Sequence, residues 1–312
     1  MDQAILDRMM ALAESEVEAK KTVQYLYEHF RTFIKRGDTV LICFSNERKF
    51  GLGWLLEQAI LRCEAAPMIW GPDYRWKTVL QQAFYNRATV IIAPPLIVLG
   101  LSKLKKHTGL PMYIRHVVTA GYPCLSWMIE GIAKGLDCSC RGIFSFGETG
   151  IVAGASCDYS DGVHIRQDAY DVQIIDEEGN LLPPGEIGEI VIYPKSHPEL
   201  RMEIGDKAKR MIETCACGMD TPRLLDLHPG NDVDADIYQL GQTLHSWTSV
   251  LDCVVKRSPY GLEIELVVFP GEKLPKLPSA AKQLIRSWNP NEDRPYFYAP
   301  TVKKDDFSAE SH

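Results

Sequence analysis

The sequence has no apolar run long enough to cross a bilayer. Its most apolar stretch, Ala88 to Leu101, falls short of the ~20 residues a spanning helix needs and is interrupted by Pro94-Pro95, so no membrane segment is expected. The N-terminus, Met1-Asp2-Gln3, lacks a basic start followed by an apolar stretch, and a cytoplasmic location is therefore expected. Positive charge is also scarce: 34 Lys and Arg against 41 Asp and Glu give a net charge of −7, which disfavours a nucleic-acid partner. The nine cysteines, at 43, 63, 124, 138, 140, 157, 215, 217 and 253, are odd in number and unevenly spaced. In a chain too large to need staples, reduced thiols or a metal site fit better than a disulfide framework. No G-x-S-x-G occurs, and His107, His116 and His245 show no pairing of nucleophile with base, so a serine hydrolase is not indicated. Internal repeats and low-complexity segments are absent as well.

What is present is an ordinary globular composition, 46% hydrophobic and 24% charged, sufficient for one large or two smaller domains. Val23, Leu26, Tyr27, Phe30, Phe33 and Ile34 recur at helical spacing, and Lys35-Arg36-Gly37 reads as a helix end, so residues 1–36 are expected to be helical. An alternation follows: strand Thr39 to Phe44, helix Gly53 to Leu61, strand Met68 to Trp70, helix Trp76 to Tyr85, strand Thr89 to Ala93 and helix Leu96 to Lys105. Strand His116 to Ala120, helix Ser126 to Lys134 and strand Ser139 to Phe144 complete it. Repeated β-α units predict a mostly parallel sheet with helices on both faces. Trp54, Trp70, Trp76 and Tyr85 could line an aromatic pocket, but aromatics at such positions are more often core.

After Phe146 the texture changes to short strands, Val163 to Arg166, Val172 to Ile175 and Glu189 to Tyr193, divided by turns such as Pro183-Pro184-Gly185. This predicts an antiparallel β subdomain. A polar cluster, His228-Pro229-Gly230-Asn231-Asp232, separates it from a last unit: a helix, strands Val250 to Lys256 and Leu262 to Phe269, helix Ser279 to Trp288 and strand Tyr296 to Val302.

Cys157, His164, Cys215 and Cys217 fall together in the β-rich region, and three thiols with one imidazole make a closed tetrahedral zinc set, structural because no coordination position is left open. Gly218 suits a tight knuckle that turns backbone amides toward thiolate sulfur. The competing reading is four unrelated residues in a cysteine-rich chain, since Cys138-Ser139-Cys140 shows that close pairs occur elsewhere.

Several strings, taken in order, resemble the adenylate-forming ligases of the acyl-CoA synthetase superfamily, specifically the phenylacetate-CoA ligase and coenzyme F synthetase branch. They are Asp161-Gly162-Val163-His164-Ile165 with Val172-Gln173-Ile174-Ile175-Asp176, Leu182-Pro183-Pro184-Gly185-Glu186-Ile187-Gly188-Glu189, Gly205-Asp206, and Cys215-Ala216-Cys217-Gly218 with Thr221-Pro222-Arg223. The resemblance covers about Gly37 to Leu224, and more weakly reaches Val302. It implies an α/β fold: an acyl-CoA-synthetase-like parallel sheet layer, a zinc-bearing β subdomain from about residue 147 within a core of 37–228, and a small C-terminal α+β domain over 229–312.

The resemblance also implies a chemistry, in which a carboxylate attacks the α-phosphate of ATP and a thiol such as coenzyme A then displaces AMP. Matched by position, Ala120-Gly121-Tyr122-Pro123 resembles the segment that lies against adenine, with Tyr122 where the branch usually has Glu. Phe144 to Glu148 resembles the aromatic-glycine segment ending in a magnesium-binding Glu, which gives Glu148 the catalytic metal role and Phe144 a nucleotide contact. Asp206 matches the acid that takes the ribose hydroxyls, and the family's zinc site falls on Cys157, His164, Cys215 and Cys217. The cofactors implied are structural zinc, ATP or AMP with magnesium, and coenzyme A.

Three departures accompany the likeness. Residues 1–36 contain no glycine, so the Ser/Thr/Gly-rich phosphate loop is missing from its expected place, and Gly147 to Ser156 already matches the magnesium segment. His228-Pro229-Gly230-Asn231-Asp232 does not match the family hinge, and only Lys303 and Lys304 lie near the place of the catalytic lysine. The expectation is a truncated ligase-like protein that binds an adenine nucleotide or an aryl or acyl carboxylate, with weak or partner-dependent adenylation. A non-catalytic interaction or regulatory subunit is the alternative, in which the sheet crevice or the helix from Ala4 to Ile34, with its apolar stripe, docks a protein partner that carries the missing segment, and a homodimer is left open.

Overall fold

The computed structural model describes residues 15–71, 75–146, 149–159, 162–229, 235–274 and 276–289, together with positions 7 and 11. Helix α1 (Glu16–Phe30) opens at Ser15, whose side chain accepts from the Glu18 N–H, with Glu16 and Glu18 placed favourably in its first turn. It buries Ala19, Val23, Leu26 and Phe30, one face at helical spacing. The helix ends at Phe30, not near Gly37 as the sequence suggests. Lys35 Nζ donates to the Arg31 and Thr32 carbonyls, and Gly37, at φ +85°, turns the chain into the first strand.

The alternation that follows is β1 (Thr39–Ile42), α2 (Leu52–Arg62), β2 (Ala66–Ile69), α3 (Trp76–Tyr85), β3 (Val90–Ala93), α4 (Pro95–Thr108), β4 (His116–Thr119), α5 (Ser126–Leu136) and β5 (Ser139–Ser145). Strands β2, β1, β3, β4 and β5 pair in that order, all parallel. β3 is buried at every position, as expected of a strand covered on both faces. On one face Val23, Leu26 and Phe30 of α1 and Leu55, Leu56 and Ile60 of α2 close over Val40, Ile42 and Ile92. On the other, Val79 and Leu80 of α3, Val98 and Leu101 of α4 and Ile132 of α5 close over Leu41, Ile91 and Val117. Each such fully buried side chain is worth roughly 1.5–3 kcal/mol. The apolar stripe of α1 is thus consumed by the chain's own core.

β5 changes the character of the sheet along its own length. Ser139 to Gly142 pair parallel with β4, whereas Ile143 to Ser145 pair antiparallel with β6 (Val152–Ala155). The sheet then continues through β7 (Val163–Ile165), β11 (Arg223–Pro229), β10 (Met202–Met211), β9 (Ile187–Pro194) and β8 (Tyr170–Ile175), all antiparallel. The expected antiparallel subdomain is therefore continuous with the parallel layer in one eleven-stranded sheet.

Helix α6 (Ala235–Ser246) leads to a second sheet, in which β12 (Val250–Ser258) and β13 (Gly261–Val268) form an antiparallel hairpin. The expected helix Ser279 to Trp288 is instead strand β14 (Lys282–Ser287), parallel to β13 from Glu263↔Lys282 to Val268↔Ser287. Ala, Lys, Gln and Leu give that segment helical propensity, and six residues of ladder pairing override it. The expected strand Tyr296 to Val302, Lys303 and Lys304 lie outside the described residues. Of the four weighed aromatics, Trp76 is core, its Nε1 donating to the Ile97 carbonyl at 3.1 Å, whereas Tyr85 is 72% exposed.

Candidate functional site

Two groups of residues concentrate chemistry, and the first lies where β4 and β5 end. Ala120 and Gly121, both buried, follow β4 directly, and Gly121 adopts φ +83°. That left-handed turn aims its N–H at the Ser145 hydroxyl, 2.9 Å away, tying the end of β4 to the end of β5. Tyr122 and Pro123 continue from there, half-buried. Phe144 and Phe146 are buried edge to face, with ring centroids 4.9 Å apart. Thr149 closes a turn onto the Phe146 carbonyl through its N–H (3.1 Å) and its hydroxyl (2.7 Å). Glu148, between them, lies outside the described residues.

The rim of that turn fits tightly against the rest of the protein. Gly150, at φ +87°, faces the Phe50 carbonyl oxygen so closely that no Cβ would fit. Phe50 is itself at φ 67° in the loop between β1 and α2. The β1 loop and the segment after Glu148 are therefore in direct contact.

Asp206 is five places from β4 in the sheet order, on β10, where it pairs with Pro229 of β11 next to an irregularity in the β9 pairing. Its nearby charge helps to raise the Tyr238 hydroxyl above its ordinary value, burial of that tyrosine being the larger cause. Asp206 thus lies beside α6. Ala120, Gly121, Tyr122, Pro123 and Phe144 share one strand-end edge.

The second group is the cysteine and histidine set. His164 sits at the centre of β7, paired on one side with Ala155 and on the other with Arg223. This register carries its ring to the turn between β10 and β11, where Cys215 and Cys217 lie, and Cys157 arrives from the end of β6. The strands can approach so closely because Gly154 and Gly162 face the His164 and Leu224 carbonyls with no space for a Cβ. The four ligand atoms of Cys157, His164, Cys215 and Cys217 lie within 4.8 Å of one another. Cys157 Sγ is 3.6 Å from Cys215 Sγ, and Cys217 Sγ is 3.4 Å from His164 Nε2. Zinc bonded tetrahedrally to sulfur and imidazole nitrogen separates its ligands by about 3.8 Å and 3.5 Å, so the set fits a single tetrahedral ion.

The surroundings reinforce that fit. Gly218, at φ +85°, donates to the Cys215 carbonyl at 2.9 Å and closes the knuckle. The Cys217 backbone amide turns toward the Cys215 sulfur and holds that thiol below its ordinary range. Burial, and then the neighbouring thiols, push Cys157 up to about 12. Crowded thiols that cannot all ionise without a counter-charge are what a divalent cation resolves. The other imidazole nitrogen, Nδ1, is 3.0 Å from the Thr221 hydroxyl, which leaves Nε2 to face the cluster. All nine cysteines are unbridged.

Sequence reasoning gave no role to Thr221, nor to a polar knot beside this cluster. His116 Nδ1 is 2.7 Å from the Ser139 hydroxyl, which also accepts from Arg141 at 3.0 Å. Arg141 pairs with Asp158, next to Cys157, and lies 4.1 Å over the Phe33 ring. His116 and Ser139 are 23 residues apart and Arg141 and Asp158 are 17 apart, and no sequence signal marks them.

No family model matches the sequence, and no curated protein matches it. Its structure, however, is similar to 2-hydroxyisobutyryl-CoA ligase in the postadenylation state with 2-HIB-AMP, at a TM-score of 0.72 and 13% identity over 93% of this chain and 70% of that one. The chain has the acyl-CoA synthetase fold. The ligase-fold chain is also similar to an open conformation of that enzyme with 2-HIB-AMP and CoA (TM-score 0.62, 14% identity, 76% of this chain and 60% of that one). For a benzoate CoA ligase from Burkholderia xenovorans LB400 the TM-score is 0.57, with 15% identity over 86% of this chain and 62% of that one. It spans between 60% and 70% of those ligases' length.

Proposed function

We propose that this chain binds an adenine nucleotide together with an aryl or acyl carboxylate, in the manner of an acid–thiol ligase of the phenylacetate-CoA ligase type. The observation that carries the reading is the tie between Gly121 N–H and Ser145 Oγ. It sets the two strand ends side by side in a fold whose solved examples hold an acyl-adenylate and coenzyme A. Ala120 to Pro123 and Phe144 offer backbone edge and aromatic surface to adenine, Asp206 offers a carboxylate to the ribose hydroxyls, and Glu148 is the magnesium ligand.

In the first step a carboxylate oxygen of the acid bonds to the α-phosphorus of ATP, and the bond to the bridging oxygen breaks as pyrophosphate leaves. In the second a thiolate, that of coenzyme A, attacks the acyl carbon and AMP departs. The sequence supplies one glycine-rich run, Gly147 to Ser156, and no separate phosphate loop, so adenylation by this chain alone is slow. A protein partner that contributes phosphate contacts would raise it.

Cys157, His164, Cys215 and Cys217 hold one structural zinc in this reading. With four protein ligands the ion has no open position and performs no chemistry on substrate. It fastens β6, β7 and the β10–β11 turn to one another.

The test is acid-dependent pyrophosphate release from magnesium ATP across a panel of aryl and short acyl carboxylates. Slow release that requires the acid and falls about tenfold or more in Glu148→Gln supports the proposal. Absence of acid-dependent release, together with no saturable binding of a non-hydrolysable acyl-adenylate, overturns it.

A further inference from the structure

The polar knot at the starts of β4 and β5 holds a serine hydroxyl between a base and a cation. In the parallel β4–β5 ladder His116 and Ser139 are direct partners, and Arg141, two residues along β5, stands on the same face as Ser139. Asp137, at φ 58°, ends α5 and turns the chain into this strand start. Along the sequence His116 has no nucleophile near it, and sheet register supplies one.

Ser139 Oγ is 2.7 Å from His116 Nδ1 and accepts from Arg141 Nη1 at 3.0 Å. The same Nη1 is 3.5 Å from Nδ1, and a guanidinium has only donors, so Nδ1 is the acceptor and the Ser139 O–H donates to it. A hydroxyl that donates to an imidazole while accepting from a cation is polarised toward its alkoxide. Its two partners are themselves held. The buried Arg141 side chain pairs with Asp158 and lies 4.1 Å over the Phe33 ring, which is in turn 5.2 Å from the His116 ring. Burial, then Arg141 and Arg115, keep the His116 pKa below its ordinary value against the weaker pull of Asp38 and Asp158, so the ring is a neutral base at neutral pH. Ser139 itself is exposed to solvent.

We propose that Ser139 is a nucleophile, with His116 as its general base, that accepts the acyl group of small activated esters. Oγ bonds to the acyl carbon as its proton passes to Nδ1. The bond from that carbon to the leaving oxygen then breaks, and the leaving oxide takes the proton from the imidazolium. The Ser139 N–H is already given to the Arg115 carbonyl at 3.1 Å and cannot serve the developing oxyanion, so acylation is slow. Hydrolysis of the product is slower still, because a serine alkoxide leaves far less readily than an aryl oxide. The outcome is one retained acyl group per chain. Ser139 and Ser145 lie at opposite ends of β5, about 20 Å apart, so this site is separate from the nucleotide edge and does not depend on the nucleotide reading.

The test is acetylation of the full chain by 4-nitrophenyl acetate at pH 7.5, quenched in acid and mapped by peptide mass spectrometry. The proposal predicts that Ser139 is acetylated about 100-fold faster than Ser246, an exposed serine whose hydroxyl donates to the Thr243 carbonyl. In His116→Gln the Ser139 rate should fall to that of Ser246, with circular dichroism unchanged. Equal rates at the two serines in wild type, or an unchanged Ser139 rate in His116→Gln, overturns it. A second measurement needs no variant: a fluorophosphonate, whose phosphorus bonds to Oγ as fluoride leaves, should add once to wild type, at Ser139. Addition elsewhere or not at all contradicts the proposal.

Discussion

His164 of β7 and Cys217 of the β10–β11 turn face each other, Nε2 to Sγ at 3.4 Å, while the opposite nitrogen of the same ring is 3.0 Å from the Thr221 hydroxyl. The imidazole is thus held from behind and presented to three thiols. A single ion at their centre would add a joint between β6, β7 and the β10–β11 turn to the β6–β7 and β7–β11 pairing. Structural zinc contributes on the order of 10 kcal/mol in small domains, comparable with a whole domain's net stability. Elemental analysis of protein purified without added metal should give one zinc per chain, and Cys215→Ser should lose it together with protection of β7 and β11 from hydrogen exchange. Substoichiometric zinc in the wild type counts against the assignment.

Thr221→Val removes the hydroxyl behind His164 and keeps the shape of the side chain. Loss of such an outer partner typically weakens metal affinity by about 10- to 100-fold. Competition with a chromogenic chelator should show a drop of that size in Thr221→Val, with far-ultraviolet circular dichroism unchanged. Equal affinity in the two proteins would show that the ring needs no support.

Gly150 has no space for a side chain and sits at φ +87° against the Phe50 carbonyl. Gly150→Ala must therefore shift backbone in the β1 loop or in the turn after Glu148, at a cost of about 2 kcal/mol or more. Urea unfolding should show a lower midpoint with the same slope. Gly37→Ala, also at positive φ but with open space around it, should cost less, about 1 kcal/mol.

His245 makes stability depend on pH in a definite direction. Its folded pKa, about 3, lies below the ordinary 6.5, so between those values the unfolded chain binds a proton that the folded chain refuses. Stability is fully present above pH 6.5 and falls as pH drops, by about 1.4 kcal/mol per unit for this group. Urea midpoints at pH 7.5, 6.0 and 5.0 should decline, and His245→Gln should flatten part of that decline. A profile identical in both proteins would contradict the burial argument.

Much of this structure was legible in the sequence wherever local chemistry and periodicity agree. Helix α3 has the bounds that Trp76 to Tyr85 suggested, and α4 begins at Pro95, a favoured first helical residue, and ends before Gly109 at φ 66°. The close Cys215-Ala216-Cys217-Gly218 knuckle and the short loop from Cys157 to His164 likewise suggested that these thiols and the imidazole come together, and their ligand atoms lie within 4.8 Å of one another. Less visible was anything fixed by distant pairing. Lys282 to Ser287 has helical composition and became a strand because β13 supplied its ladder. Nothing along α4 distinguishes Lys103 from a solvated lysine, since the carbonyls that its buried Nζ bonds, those of His245 and Val250, lie 142 and 147 residues away. The stripe on α1 was legible as apolar, but only the fold shows that α2 and the sheet fill it.

The most direct measurement of the central proposal is isothermal titration of the purified chain with AMP and, in parallel, with magnesium ATP, repeated in Asp206→Asn. The account predicts saturable AMP binding that weakens about tenfold when the carboxylate is lost, in keeping with a charge-assisted bond to the ribose. It predicts no comparable gain in affinity from the added phosphates of ATP. Absence of AMP binding in the wild type, or equal binding in Asp206→Asn, would contradict the account.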